Sequence, residues 1–218
     1  MPTYVIGGQK GGTGKSTLAT NLAVSLTLQK RSVLLIDSDR QQTASHWGDK
    51  RQADTTLPPI TTIQKTGRLF QVIRDMEGRY DDVLIDVGGY DSVELRTALA
   101  AADYLYSPVR ASQSDLWTLE AMEQLLGEAK ELNPALEAFL ILSMAPTNPV
   151  IRETQEAIAL LAEYPTFGIC RTVIRDRKAF RDAMFRGRGV VELSDPKSTT
   201  ELSELAEEVT GHALRKSA

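Results

Sequence analysis

The stretch GGQKGGTGKST, residues 7–17, decides the fold of this 218-residue chain. An apolar run that begins at Thr3 precedes it, and a run with helical periodicity follows it from Ser16. Glycine-rich loops between a strand and a helix surround phosphate groups with backbone N–H groups, and the positive end of the helix dipole assists them. The stretch therefore predicts a phosphate-binding loop.

The loop predicts a specific set of nucleotide contacts. Lys15 is expected to reach the β- and γ-phosphate oxygens of ATP, and the Ser16 hydroxyl is expected to ligate Mg²⁺. Further contacts to the nucleotide are predicted for Gly11, Gly12, Thr13, Gly14 and Thr17. The usual pattern is G-x-x-x-x-G-K-[ST], but here Gln9 replaces its first glycine and Lys10 follows at once. One lysine suffices for the usual loop, so Lys10 requires a function of its own.

The rest of the chain alternates short apolar runs with stretches of helical periodicity, which predicts an α/β fold. We expect a mostly parallel, doubly wound sheet of about seven or eight strands flanked by helices, in a single domain that spans residues 1–218. The candidate strands are TYVIGG, SVLLID, ITTIQ, DDVLID, DYLYSPV, AFLILSMA and PTFGI. The predicted helices begin near Ser16, Gln42, Arg68, Ser92, Leu116, Ile151, Phe180 and Thr199.

Composition excludes several classes of protein. The formal net charge of −4 argues against a uniformly basic nucleic-acid protein, although local patches remain possible. The single cysteine, Cys170, excludes an internal disulfide framework and offers no metal-ligand cluster. The N-terminus lacks a signal-peptide pattern and no run of 18 apolar residues occurs, so we expect a cytoplasmic protein that does not span a membrane.

Two further apolar runs end in carboxylates. VLLIDSDRQQTASHW places Asp37 and Asp39 after one predicted strand, and YDDVLIDVGGYDS places Asp86 at the end of another. Open α/β sheets bind ligands at the carboxyl ends of their strands, so these side chains are candidates for metal and water contacts. For Asp37 and Asp39 the alternative is capping of the following helix, and for Asp86 it is a simple turn cap.

QKGGTGKST resembles the deviant Walker A motif, K-G-G-x-G-K-[ST], of the ParA/MinD family of P-loop ATPases. The resemblance implies a SIMIBI-type fold and an ATP-dependent sandwich dimer, in which Lys10 crosses to the nucleotide of the partner subunit. DSDRQ is similar to the family's D-x-D-P-Q segment, with Arg40 in place of proline. By this resemblance Asp37 lies near the Mg²⁺ shell, Asp39 orients the attacking water, and Asp86 is the Walker B carboxylate that holds Mg²⁺ through a water.

Two further segments resemble the family less closely. SPVRASQSD is similar to its P-V-x-P-S-x-x-D segment, with Ala111 replacing the second proline and Asp115 matching the aspartate, in a region that lines the dimer interface of small partition ATPases. Gly88 and Gly89 stand where the family has a proline-containing switch. The turn MAPTNP makes Thr147 and Asn148 candidates for adenine contacts, with a plain turn as the alternative.

Residues 171–188 form a local basic segment in an acidic chain, with seven cations against two anions. The cations are Arg171, Arg175, Arg177, Lys178, Arg181, Arg186 and Arg188. Such a segment is typical of proteins that bind double-stranded DNA nonspecifically through its phosphates. The alternative is a solvated helix face or an interface with an acidic partner. The last helix carries Glu201, Glu204, Glu207 and Glu208 against Arg215 and Lys216, which argues against membrane attachment.

The resemblance is strongest to the short plasmid-partition ParA type (ParF-like). It implies a weak intrinsic ATPase, stimulated by a partner, that forms a homodimer on the nucleoid and segregates DNA cargo with a ParB-type or ribbon-helix-helix adaptor. One alternative is an ATP-switched adaptor that positions a protein cluster or a microcompartment. A less favoured alternative is a biosynthetic P-loop enzyme of the dethiobiotin-synthetase type, which has no reason to keep Lys10.

Overall fold

Seven parallel strands form one sheet in the computed structural model, which describes residues 1–110, 113–148 and 153–217. The strands are β1 (Thr3–Ile6), β2 (Val33–Asp37), β3 (Thr61–Gln64), β4 (Asp82–Asp86), β5 (Tyr104–Val109), β6 (Glu137–Leu142) and β7 (Gly168–Ile169). Their order across the sheet is β3-β2-β4-β1-β5-β6-β7, and every neighbouring pair is parallel. The predicted parallel α/β sheet is confirmed.

Eight α-helices accompany the strands within the described ranges. They are α1 (Lys15–Leu28), α2 (Thr43–Ala53), α3 (Phe70–Asp75), α4 (Val93–Leu99), α5 (Gln113–Leu132), α6 (Glu153–Leu161), α7 (Lys178–Arg186) and α8 (Pro196–Ser217). A short 3₁₀ turn, Val190–Glu192, lies between the last two helices.

Helices cover both faces of the sheet because its central strands are buried and apolar on both sides. One apolar core lies between the sheet and α1, α2, α7 and α8, and it contains the fully buried Trp47. The other lies between the sheet and α3, α4 and α5, and it contains Leu126. This two-sided cover is the doubly wound arrangement that the sequence predicted.

The observed elements differ from the predicted ones mainly at their ends. β6 ends at Leu142, before the predicted boundary, because Met144 takes a left-handed backbone conformation (φ 53°) that ends the strand. β7 is only two residues long, and Gly168 lies so close to β6 that a Cβ there would be 2.6 Å from the Phe139 ring. The predicted helix start at Ile151 and the predicted interface position Ala111 lie outside the described residues, as does the side chain of Asp115.

The central strands bring their carboxyl ends to one edge of the sheet. β2 and β4 are neighbours, and their last residues, Asp37 and Asp86, are directly opposite each other in the register. β1 lies on the other side of β4, with Ile6 opposite Asp86, and leads directly into the phosphate loop. Three loops that are distant in sequence therefore meet at one edge, where open α/β sheets bind ligands.

Candidate phosphate-binding site

The phosphate loop connects β1 to the N-terminus of α1 with two glycines in the left-handed region. Gly12 has φ 73° and Gly14, the N-cap of α1, has φ 92°. Residues with a Cβ rarely adopt these angles, so both positions require glycine. Alternation of left- and right-handed residues turns successive N–H groups toward one side of a loop, which creates a concave anion site.

A cavity of about 450 Å³ opens at this loop. Its lining comes from the phosphate loop, the loop after β2 and the segment after β4: Gly11, Gly12, Gly14, Lys15, Ser16, Thr17, Asp39, Gln41, Thr43, Gly89 and Tyr90. The structure thus brings together most of the predicted loop contacts with Asp39. Thr13 is buried and does not line the cavity. The sequence did not assign Gln41, Thr43 or Tyr90 a role, although their positions beside Asp39 and the glycine pair were an available signal.

The Lys15 side chain is buried within the site. Its Nζ donates a hydrogen bond to the backbone carbonyl of Lys10 at 2.5 Å. Burial lowers the pKa of Lys15, and the carboxylates of Asp86 and Asp39 act in the opposite direction. A poorly hydrated ammonium attracts an anion more strongly than a hydrated one, so Lys15 is suited to a phosphate. The additional lysine of the loop, Lys10, therefore contributes its backbone carbonyl to this arrangement.

Asp86 is the fully buried carboxylate at the base of the site, and neither of its oxygens accepts a hydrogen bond of normal geometry from the described residues. Burial raises the pKa of Asp86 to about 8. The Asp37 and Asp39 carboxylates add to this rise, whereas the Ser16 hydroxyl and Lys15 oppose it. Unpartnered carboxylate oxygens beside a hydroxyl are the hard donors that Mg²⁺ prefers.

The residues present therefore fit a magnesium ion held by few protein groups. No cluster of three or more His, Cys, Asp or Glu side chains among the described residues is arranged to hold a metal ion by itself. Mg²⁺ in phosphate-binding sites characteristically takes one or two protein ligands and completes its shell with water and phosphate oxygens.

The two carboxylates after β2 have different surroundings. Asp37 is fully buried, and its oxygens accept hydrogen bonds from the backbone N–H groups of Asp39 at 3.0 Å and Ser45 at 2.7 Å. Asp39 is half-buried at the cavity, where its Oδ1 accepts the Gln41 N–H at 3.0 Å while its Oδ2 accepts no hydrogen bond from the described residues. Asp37 therefore fixes the loop between β2 and α2, and Asp39 presents an open acceptor to the cavity. The assignment of Asp37 to the magnesium shell stays a prediction.

The glycine pair after β4 packs directly against the phosphate loop. A Cβ on Gly89 would lie 2.6 Å from the Gly11 nitrogen and 2.7 Å from both carbonyl atoms of Lys10. A Cβ on Gly88 would lie 3.4 Å from the Asp39 carboxyl carbon. The segment that follows Asp86 thus touches both of the other loops of the site.

A second, smaller cavity of about 80 Å³ opens beside the phosphate loop. It is lined by Gly14, Thr17, Leu18, Ser143, Met144, Ile174, Arg175, Asp176, Arg177, Phe180 and Arg181. Its wall includes a short continuation of the sheet, in which Ala145 pairs in parallel with Arg175. The predicted adenine contacts Thr147 and Asn148 are exposed in the turn beyond this pairing and do not line the cavity.

Two arginines of the basic segment are tied to a buried carboxylate. Arg175 Nη1 and Arg177 Nη2 both donate to Glu201 of α8, at 2.9 and 2.6 Å. The Glu201 side chain is only 8% exposed, and it also accepts the Arg175 backbone N–H at 3.2 Å. Removal of both arginine side chains would leave a buried carboxylate without its ion-pair partners, which is strongly destabilising. These two residues therefore have a structural role that the local charge count missed.

The other cations of the segment are more accessible. Lys178 and Arg181 on α7 pair with Asp182 and Asp176, yet their side chains remain 78% and 63% exposed. Exposed pairs of this kind contribute only about 0.2–1 kcal/mol, so they compete weakly with another anion. The segment is completed by Arg171 beside Glu208, Arg188 beside Asp54, and the exposed Arg186, which has no ion pair among the described residues.

Residues 4–190 match the family model described as the CobQ/CobB/MinD/ParA nucleotide binding domain. The chain belongs to this family. It is 27% identical over 213 residues to the maintenance of carboxysome distribution protein A of Halothiobacillus neapolitanus, a match that covers 95% of each chain. Its ParA/MinD resemblance is therefore confirmed at the level of the family.

Solved structures of the family share the fold at lower identity. A Cyanothece McdA–ATP complex matches with a TM-score of 0.75 and 18% identity, over 97% of this chain and 96% of the other. The cobyrinic acid a,c-diamide synthase of Mycobacterium smegmatis, with a bound ATP analogue and magnesium, matches with a TM-score of 0.76 and 17% identity, over 97% and 95% of the two chains. The chain thus has the P-loop fold of ParA/MinD-type ATPases. Within the described ranges, no helix combines the length and the hydropathy needed to cross a bilayer.

Gly89→Ala is expected to destabilise the fold by about 1–3 kcal/mol, because the new methyl group would force the segment after β4 away from the phosphate loop. Urea denaturation of the nucleotide-free protein measures this change. Gly127→Ala is the matched control, since Gly127 lies exposed in α5 with no atom within 4 Å of the added Cβ. The control is expected to be neutral or to gain up to about 1 kcal/mol from helix propensity. Equal midpoints for the two variants would contradict the close contact of Gly89.

Proposed function

We propose that this protein is a ParA-type ATPase that binds ATP with Mg²⁺, dimerises on binding and hydrolyses ATP slowly. One observation carries the proposal: the Lys15 ammonium, at the phosphate-loop cavity, interacts electrostatically with the buried Asp86 carboxylate and with the cavity-facing Asp39 carboxylate. Charged groups from three loops are therefore combined in one site. The Cyanothece relative of the same fold binds ATP, which supports the choice of nucleotide.

Mg²⁺ would be held by the Ser16 hydroxyl and, through water, by Asp86, where it would neutralise phosphate charge. Lys15 would exchange its hydrogen bond with the Lys10 carbonyl for the phosphate oxygens. Asp39 would use its open oxygen to accept a hydrogen bond from the attacking water and orient it toward the γ-phosphate. Slow turnover is expected because one of the cations proposed to compensate the transferred phosphoryl group, Lys10, comes from the partner subunit.

The side chain of Lys10 is proposed to act in the partner subunit of the dimer. A cation supplied by the second subunit compensates the facing triphosphates only after the two subunits have met, which couples dimerisation to ATP. The structure makes this role separable from the role of the loop, since Lys15 uses the backbone carbonyl of Lys10 and not its side chain.

The adenine base is proposed to occupy the smaller cavity between α1 and residues 174–177, where Met144 and Phe180 supply apolar wall. This position replaces the exposed turn that contains Thr147 and Asn148 as the expected site of base recognition. It is continuous with the phosphate loop through Gly14 and Thr17, which line both cavities.

Asp39→Ala is expected to keep ATP binding and dimerisation while hydrolysis falls by about one hundredfold or more, as for the loss of a water-positioning group. Calorimetric titration and phosphate release measure the two effects separately. Asp37→Ala is the contrasting variant: it removes the acceptor of two backbone N–H groups, so a lower unfolding midpoint should accompany any loss of activity. Hydrolysis at the parent rate in Asp39→Ala would move the water-positioning role elsewhere.

Lys10→Ala is expected to bind ATP as a monomer with nearly parent affinity but to form no dimer. The carbonyl that holds Lys15 is kept in this variant, so the monomer site should stay intact. Sedimentation with a slowly hydrolysed ATP analogue tests dimerisation, and Lys15→Ala, which should lose nucleotide binding altogether, is the control. A stable dimer of Lys10→Ala would remove the sandwich mechanism from the proposal.

The ATP-bound dimer is proposed to bind double-stranded DNA without sequence preference and so to associate with the nucleoid. Support comes from Lys178, Arg181 and Arg186, which are exposed cations on the single helix α7. Arg175 and Arg177 are less suitable contacts than the sequence indicated, because both are already bound to Glu201.

Replacement of Lys178, Arg181 and Arg186 together by Ala is expected to flatten the log–log salt dependence of DNA binding by up to about 3 units, since each phosphate contact contributes about 0.9. Fluorescence anisotropy with scrambled duplexes, with and without ATP, measures the slope. The control triple Arg68, Arg74 and Arg79→Ala removes the same charge from exposed sites near α3, on the opposite face of the sheet. If both triples weakened binding equally, the effect would reflect net charge and not α7.

The cargo is proposed to be recruited by a second protein, either a ParB-type or a ribbon-helix-helix adaptor bound to DNA, or a component of a protein assembly. The match to a carboxysome distribution protein over 95% of both chains favours the second, in which a microcompartment or protein cluster is positioned. Deletion of the gene separates the two: plasmid or chromosome loss is expected for DNA cargo, and clustering of an assembly at normal DNA inheritance for protein cargo.

A further inference from the structure

Arg110 lies outside the residues assigned to nucleotide binding, yet it contacts the phosphate loop. It is the first residue after β5, and β5 pairs with β1, which leads into the phosphate loop. Its Nη2 donates a hydrogen bond to the backbone carbonyl of Gly12, 98 residues away in the chain, and lies 3.2 Å from the Met144 sulfur. The guanidinium therefore bridges the phosphate loop and the turn after β6.

The contact is made at the position where the loop is freest to invert. Gly12 has φ 73°, and a Cβ there would lie 3.3 Å from Arg110 Nη2. Glycine adopts positive and negative φ angles about equally well, so its peptide group can flip and its carbonyl can face either side of the loop. Arg110 does not line the phosphate cavity, so the Gly12 carbonyl is bound by a group outside the cavity lining.

From this geometry we infer that Arg110 is a positioning residue for the phosphate loop: it holds the Gly12 carbonyl outward and so keeps the adjoining N–H groups turned toward the phosphates. The inference rests on the proposed nucleotide binding and adds a residue to it. A carbonyl oxygen turned inward would repel phosphate oxygens and remove a donor from the nest. Arg110 thus acts through Gly12 and need not touch the nucleotide.

The protein maintains this contact at a cost. The Nε of Arg110 is buried and has no hydrogen-bond partner among the described residues. Buried donors without a partner are rare, because the group loses its hydrogen bond to water on burial and gains none in the protein, which costs free energy. A charge-assisted bond to the Gly12 carbonyl is stronger than a neutral one, and it accounts for why an arginine is held in this partly desolvated place.

The inference makes a distinctive prediction about which nucleotides are affected. Loop N–H groups surround the β-phosphate, which ADP and ATP share, so loss of Arg110 should weaken both by the same factor. Lys10, by contrast, is proposed to affect only the ATP-bound dimer. The ADP-to-ATP affinity ratio therefore distinguishes a residue that shapes the loop from one that contacts the γ-phosphate.

The test compares Arg110→Met, which keeps the apolar stem but loses the donor and the charge, with Arg110→Lys, which keeps a cation and one donor. Calorimetry in the Lys10→Ala background, which is proposed to stay monomeric, should show ADP and a slowly hydrolysed ATP analogue each weakened about tenfold or more by Arg110→Met, with partial recovery in Arg110→Lys. Because Arg110 acts through Gly12, Gly12→Ala in the Arg110→Met background should weaken ADP binding by less than the product of the two single effects.

Three results would overturn the role of Arg110, and a fourth would overturn the proposed function. Parent-like ADP and ATP affinities in Arg110→Met would overturn the inference while leaving the proposed function intact. A loss confined to the ATP analogue would also overturn it, because that pattern belongs to a γ-phosphate contact. A lower unfolding midpoint of nucleotide-free Arg110→Met with unchanged nucleotide affinity would reduce Arg110 to a purely structural residue. If the parent protein itself bound neither nucleotide, it is the proposed function that would fail.

Discussion

Burial of Asp86 beneath the phosphate loop is the constraint on which the rest of the site depends. The carboxylate ends a central strand whose neighbours on both sides, β1 and β2, are fully buried, and neither of its oxygens has a hydrogen-bond partner of normal geometry among the described residues. Burial raises the pKa of such a group, so its ionised form is favoured only where a cation or a metal ion compensates the charge. Lys15 interacts electrostatically with Asp86, and the Ser16 hydroxyl lies beside it. The N-terminus of α1 is therefore the place where the Asp86 charge is compensated.

The same constraint explains why three loops behave as one unit. The segment after β4 cannot move freely, because Gly89 lies against the backbone of Lys10 and Gly11 and Gly88 lies beside Asp39. An occupant of the cavity that displaces either contact must shift the other as well. A ligand shifts the equilibrium between two arrangements of these loops only if it binds one arrangement more tightly than the other. The γ-phosphate is the group that ATP has and ADP lacks, so it is the group that can make the two nucleotides differ in this effect.

The sequence predicted the strands and the phosphate loop well because both depend on local patterns, namely apolar runs and glycines at fixed spacing. The strand-end pattern did not distinguish Asp37 from Asp39, and their different roles were assigned by the family resemblance. Only the folded loop shows that the Ser45 N–H donates to Asp37. The sequence also assigned all seven cations of residues 171–188 to DNA binding, with a solvated helix face or an acidic interface as the alternative. The contact with Glu201 was missed because this residue lies 24 positions beyond Arg177 and reaches it only through the packing of α8. Arg110 was missed for the same reason: its partner, Gly12, lies 98 residues away in the sequence.

Fold similarity by itself does not choose between a positioning ATPase and a biosynthetic enzyme. The TM-scores to McdA and to cobyrinic acid a,c-diamide synthase, 0.75 and 0.76, are equal for this purpose, so the choice must come from side chains. A biosynthetic enzyme needs a site for a second substrate next to the γ-phosphate, whereas an ATP-switched dimer needs a cation offered to another subunit. Lys10 lies at the start of the phosphate loop, and Lys15 of the same loop already supplies a cation for the phosphates. A monomeric enzyme would not need the second lysine. The doubled lysine therefore supports the proposed sandwich dimer over a second substrate bound within one subunit.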